Sequence, residues 1–142
     1  MSQAAELLSS ARTELNARCN AVEEAYEFML AYAGQGLANE AGSAKGGQVR
    51  EYLAKAEAAL SGLSTVVASF AGSANDPALA PYAAFMDVID RDARAARAAI
   101  GVVLAQPSIS SQLIDNLNAS IHLRALLTDL FRIDEVLKGH KQ

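Results

Sequence analysis

Along this chain, apolar and small side chains recur at alternating steps of three and four residues. Charged side chains fill the positions between them. The first such stretch covers about Ser2 to Gln35, with Leu8, Ala11, Leu15, Cys19, Val22, Tyr26, Met29 and Ala33 on one stripe. Those steps place side chains on one face of a helix, and Glu14, Glu23, Glu24 and Glu27 fall off it. The segment 35–47 carries Gly36, Gly42, Gly46 and Gly47, so it reads as a flexible loop. The second stretch, about Gln48 to Ala71, has the most regular pattern. Val49, Leu53, Ala56, Leu60, Leu63, Val67 and Phe70 form a heptad seam without a miss.

Asp76 and Pro77 then suit a cap and a first helical turn, and Pro81 fits an early turn as well. The third helix runs to about Ala105 with Tyr82, Met86, Ile89, Ala93, Ala96, Ile100 and Val103 as its seam. Gln106-Pro107-Ser108 turns the chain into a last helix, Ser108 to Lys138. Gly139 stops it, and 139–142 reads as a disordered tail. This helix has two apolar faces. Leu113, Ile114, Leu117 and Ile121 share one; Leu123, Leu126, Leu130, Ile133 and Leu137 share another, rotated by roughly 150°. One straight helix cannot turn both faces to the same neighbour. Either it bends near Asn118-Ser120, or Leu113, Ile114, Leu117 and Ile121 form an interface with a second chain. The expected fold is therefore all-α, one domain over residues 1–142: an up-down-up-down four-helix bundle whose last helix is bent or lies at a dimer interface.

Composition sharpens this reading. Hydrophobic residues are 51% of 142, aromatics only 6%, tryptophan is absent, and alanine makes up about a fifth of the chain. Such a composition favours closely packed helices over sheets. A net charge of −4 gives no electrostatic reason to expect nucleic-acid binding. No apolar run approaches the roughly 20 residues of a membrane span. The start of the chain lacks a basic segment followed by an apolar one, so a cytoplasmic protein is expected.

Candidate chemistry is sparse. No Glu-x-x-His occurs and there are 2 histidines, so the ligand set of a bundle di-iron centre is missing and no metal or other cofactor is expected. One cysteine cannot make an internal disulfide, and Cys19 lies on the core stripe, where a small buried residue is the simpler role. His122 falls on the polar side of its helix. Arg91, Arg94 and Arg97 form a ridge interleaved with Asp87, Asp90 and Asp92, which favours mutual neutralisation. Gly42 to Gln48 does not fit the Walker pattern. Asp134 interrupts an apolar face, which calls for water or a basic partner. Tyr26, Tyr82 and Asn116 remain as polar anchors for a ligand inside the bundle. With no complete catalytic set, the leading expectation is an interaction or accessory protein acting by protein–protein binding, expected as a homodimer with a further protein partner. A small-ligand-binding bundle and a non-catalytic subunit of an enzyme complex are the alternatives.

Overall fold

The structure, a computed structural model, describes residues 3–42 and 46–137. Among these residues the regular elements are all helical: α1 (Gln3–Ala33), α2 (Val49–Ala68), α3 (Ala80–Leu104), α4 (Ser111–Asn118) and α5 (Ile121–Leu137), with short 3-10 turns at Glu40–Gly42 and Ser73–Asn75. The expected tail 139–142 and residues 43–45 of the expected loop lie outside the described residues.

The difference from four helices lies in the last segment. Ser110 caps α4, its Oγ accepting the Leu113 N–H at 3.0 Å. The helix then closes at Asn118, where the Ser120 N–H turns back to the Leu117 carbonyl at 3.0 Å. Ser120 in turn accepts the Arg124 N–H and opens α5. Breaking the chain here lets both apolar faces turn inward. Ile114 is fully buried, Leu117 is 5% exposed, and Leu123, Leu126, Leu130, Ile133 and Leu137 fill the core from α5. The bend, foreseen as one of two solutions, is the one adopted.

α1 packs on α2, α4 and α5, and α3 packs on α2 and α5. The buried stripe of α2 includes Leu53, Ala56, Leu60 and Leu63 as the heptad predicts, and that of α3 includes Met86, Ile89, Ala93, Ala96, Ile100 and Val103. Over the long α1 the stripe slips by one residue. Ala25 and Tyr32 are buried in place of Tyr26 and Ala33, which are partly exposed. The same slip occurs in α2, where Val66 is buried rather than Val67. A straight helix drifts by about 20° per heptad against a strict seven-residue repeat, so a seam extrapolated at fixed spacing walks off the core. The start of α3 also differs. Asp76 Oδ1 accepts the Ala78 N–H at 2.9 Å and so closes the turn before the helix, while Leu79 occupies the cap position and Pro81 the first turn.

Candidate functional site

Two polar constellations and one apolar surface emerge from this packing. The first constellation ties the C-terminal end of α1 to the turns around it. Tyr32, fully buried, donates its O–H to the Ile109 carbonyl at 2.6 Å. Ser111 Oγ donates to the Tyr32 carbonyl at 2.6 Å and accepts the Leu37 N–H at 2.8 Å. Arg50, at the start of α2, clasps Glu40 through Nε (2.8 Å) and Nη2 (2.9 Å), and reaches the carbonyls of Leu104 (2.9 Å) and Gln106 (2.7 Å). Glu40 also accepts the Ile109 N–H at 2.9 Å. Glu40, within the span 35–47, is thereby joined to α2 and to the turn before α4.

The hydrogen bonds from Arg50 hold the Glu40 carboxyl below its ordinary range, against the opposing effect of burial. A Cβ on Gly46 would strike the Glu40 carbonyl, so the chain passes too close there for any other residue. Every nitrogen of the guanidinium is committed to a protein acceptor, which makes this cluster a structural clasp rather than a seat for an anion.

The apolar surface lies along the contact of α3 with α5. Beside its core seam, α3 carries a second run at the same spacing: Pro81, Phe85, Val88, Asp92, Ala95, Ala99 and Val102. The middle members are half-buried, and Pro81 and Val102 are exposed. At one end of this seam, Pro81, Tyr82, Phe85, Arg132, Ile133 and Val136 line a groove of about 290 Å³. The Arg132 guanidinium lies 6.0 Å from the centre of the Phe85 ring, a cation–π contact that keeps its charge at the rim. Arg132 also borders a second, shallower depression of about 570 Å³ on the outer side of α5, lined by Ala119, Ile121, Arg124, Ala125, Thr128 and Asp129. Ile121 stands 74% exposed and Val136 46% exposed beside these hollows.

The second polar constellation sits within this seam. Asp129 of α5 is 7% exposed, and its Oδ2 is buried without a hydrogen-bond partner. The Asp92 carboxyl of α3 lies within hydrogen-bonding reach of it. Burial first, and then the hydrogen bond and charge of Asp92, push the Asp129 carboxyl up to about 7, with Arg132 pulling the other way.

The residues singled out from sequence are distributed differently. Tyr82 lines the α3–α5 groove, Tyr26 is partly buried on α1, and Asn116 is exposed on α4; none of the depressions described here is lined by more than one of them. Of the interface candidates, Ile114 and Leu117 belong to the core, Leu113 is half-buried and packs against it, and Ile121 alone is exposed. They do not form a single outward face, because the break at Ala119-Ser120 turns α4 and α5 separately onto the bundle. His122 is exposed and Asp134 half-exposed.

Cys19 is buried; its thiol donates to Glu23 Oε1 at 3.1 Å and is pushed up to about 12 by burial, by that bond and by the charges of Glu23 and Asp134. A thiol so held is not a nucleophile at neutral pH. Arg94 pairs with Asp90 at 2.9 Å, so part of the arginine ridge is neutralised within its own helix. Among the described residues no group of three or more His, Cys, Asp or Glu side chains is placed to hold a metal, and no helix is long and apolar enough to cross a membrane.

Sequence reasoning missed the clasp and the carboxyl pair. Glu40 lies in a glycine-rich stretch with no helical period to give it a direction, and the period of α2 sets Arg50 off the core stripe without naming its partner. Asp92 did carry a signal, as the one charged member of the second apolar run on α3. Compared with known proteins, the chain matches no family model, no curated protein and no solved structure.

Proposed function

We propose that this chain is a helical interaction protein, and that its binding surface is the α3–α5 seam. The observation that supports this most is the groove of Pro81, Tyr82, Phe85, Ile133 and Val136, whose lining is almost wholly apolar and open to solvent. A run of half-exposed apolar positions at steps of four and three matches what an amphipathic helix presents. The occupant we assign is therefore an amphipathic helix of a protein partner. Arg132 at the rim, with Arg124 in the neighbouring depression, favours acidic side chains beside its apolar stripe.

At about 290 Å³ the groove has room for one or two side chains inserted from such a helix. In this reading α1, α2, α3 and the α4–α5 pair run alternately up and down as a bundle, and the protein acts in the cytoplasm. A second copy of the chain is one source of the partner helix. With Ile114 and Leu117 inside the core, a homodimer in this reading uses the α3–α5 surface instead. A non-catalytic subunit in a larger complex would use the same face.

The test is affinity purification of the tagged chain from its native cells, comparing the unmutated protein with Val136→Glu and with Glu27→Ala. The expected result is an associated protein that Val136→Glu loses and Glu27→Ala keeps, with helical circular dichroism unchanged in both. Association that survives Val136→Glu would move the binding surface elsewhere.

A further inference from the structure

The carboxyl pair inside the seam has no part in apolar docking, and its arrangement calls for an explanation of its own. Asp129 projects from α5 between two buried neighbours one turn away, Leu126 and Ile133. Its Oδ2 meets no donor. A buried carboxylate oxygen without a hydrogen bond costs several kcal/mol as a rough rule, and more when a second carboxylate faces it. The positions one turn from Asp92 on α3 are Val88, Ile89, Ala95 and Ala96, which offer no donor.

The other charged groups around α5 do not supply the missing one. Arg132 is the counter-charge that pulls Asp129 down, but its guanidinium lies over Phe85 at the rim and its effect is smaller than those of burial and Asp92. Arg124 borders the same depression from the exposed side of α5. From α1, Arg12 and Glu23 share the side of Cys19, which feels Asp134 rather than Asp129. The one ionisable residue of α4, Asp115, is exposed. A proton satisfies the arrangement where no side chain does. With one carboxyl protonated, its O–H donates to the other carboxylate, the like-charge repulsion disappears and the buried oxygen gains its partner.

We propose that Asp92 and Asp129 hold a single proton between them across the α3–α5 seam, and that its loss to solvent loosens α5 from α3. This inference does not depend on the seam having a protein partner. The sign follows from linkage. Asp129 titrates higher in the folded protein than in the unfolded chain, so between the ordinary carboxylate range and neutrality the folded state binds more protons. Stability contributed by the proton is complete at the acid side of that window and is lost as pH rises through it. The folding constant falls by up to about tenfold per pH unit within it.

Two measurements test this. In a carbon-13 titration of the aspartate carboxyls, one carboxyl should titrate close to neutrality, and in Asp92→Asn that midpoint should drop toward the ordinary range. If every aspartate titrates below about pH 5, near the ordinary carboxylate range, the proposal is wrong. In urea unfolding, the midpoint of the unmutated protein should be lower at about pH 8 than at about pH 5.5, whereas the isosteric, uncharged Asp129→Asn should show no such drop. An equal drop in Asp129→Asn would place the pH dependence in other groups and overturn the proposal. Should Asp129→Asn fail to fold, Asp92→Asn serves in the same comparison, since it removes the like charge and leaves a donor.

Discussion

Replacing Tyr32 by Phe removes one oxygen from the middle of the structure and nothing else. The ring stays where it is, fully buried and stacked at 6.2 Å from Phe28. What is lost is the 2.6 Å bond to the Ile109 carbonyl, the link that fixes α1 to the turn leading into α4. A buried hydrogen bond contributes about 1 kcal/mol net, and leaving the carbonyl without a donor adds a desolvation cost, so the loss should be about 1–3 kcal/mol. For a chain of this size that corresponds to a fall in Tm of about 3–10 °C.

Urea and thermal unfolding followed by circular dichroism would measure it, with the slope of the urea transition unchanged. Ser111→Ala provides a second handle, because Ser111 Oγ binds the Tyr32 carbonyl and the Leu37 N–H in the same cluster. The double variant should lose less than the two single losses added together, since the groups share one network. A loss below about 0.5 kcal/mol for Tyr32→Phe, the size of an ordinary surface change, would refute the claim that this bond anchors α1.

Other outcomes follow from the same packing. Leu117→Arg places an unpaired charge in the core and should cost about 3–5 kcal/mol, whereas Ile121→Glu, at an exposed site in the first turn of α5, should stay within about 0.5 kcal/mol; equal Tm values for the two would put the break at Ala119-Ser120 in error. Glu40 is held below the ordinary carboxylate range, so its contribution is present above that range and is lost as pH falls through it; acid unfolding of Glu40→Gln should be less steep than that of the unmutated protein. Cys19, pushed up to about 12, should resist iodoacetamide at neutral pH in the folded protein and react once urea unfolds it; rapid labelling of the native chain would contradict its burial.

What could be read from the sequence, and what could not, has a physical pattern. The stripes of α2 from Val49 to Leu63 and of α3 from Met86 to Val103 were legible from the 3-4 spacing, which in α2 then slipped by one residue at Val66. The stripe of α1 was legible at Leu8 to Val22 and then misassigned at Tyr26 and Ala33, where helical drift had accumulated. The two faces of the last segment were visible as a contradiction, and the contradiction named its own two solutions. Choosing between them needed the position of the turn, which Ala119 and Ser120 do not announce as glycine or proline would. The groove was half legible: Tyr82 stood out, but for its hydroxyl rather than for the apolar company of Phe85 and Val136. Which residues pair between elements, as Glu40 with Arg50 or Asp92 with Asp129, leaves no local pattern. It depends on which helix faces which, and periodicity does not say.

The most direct test of the seam as a docking surface is a photo-crosslinking residue placed at Val136 and, as a control, at exposed Ala17, with both proteins irradiated in their native cells. The account predicts a discrete protein adduct from Val136 and none from Ala17, with an adduct of twice the chain mass identifying a second copy as the partner. The same adducts from both positions, or none from Val136 while an adduct forms at Ala17, would contradict it.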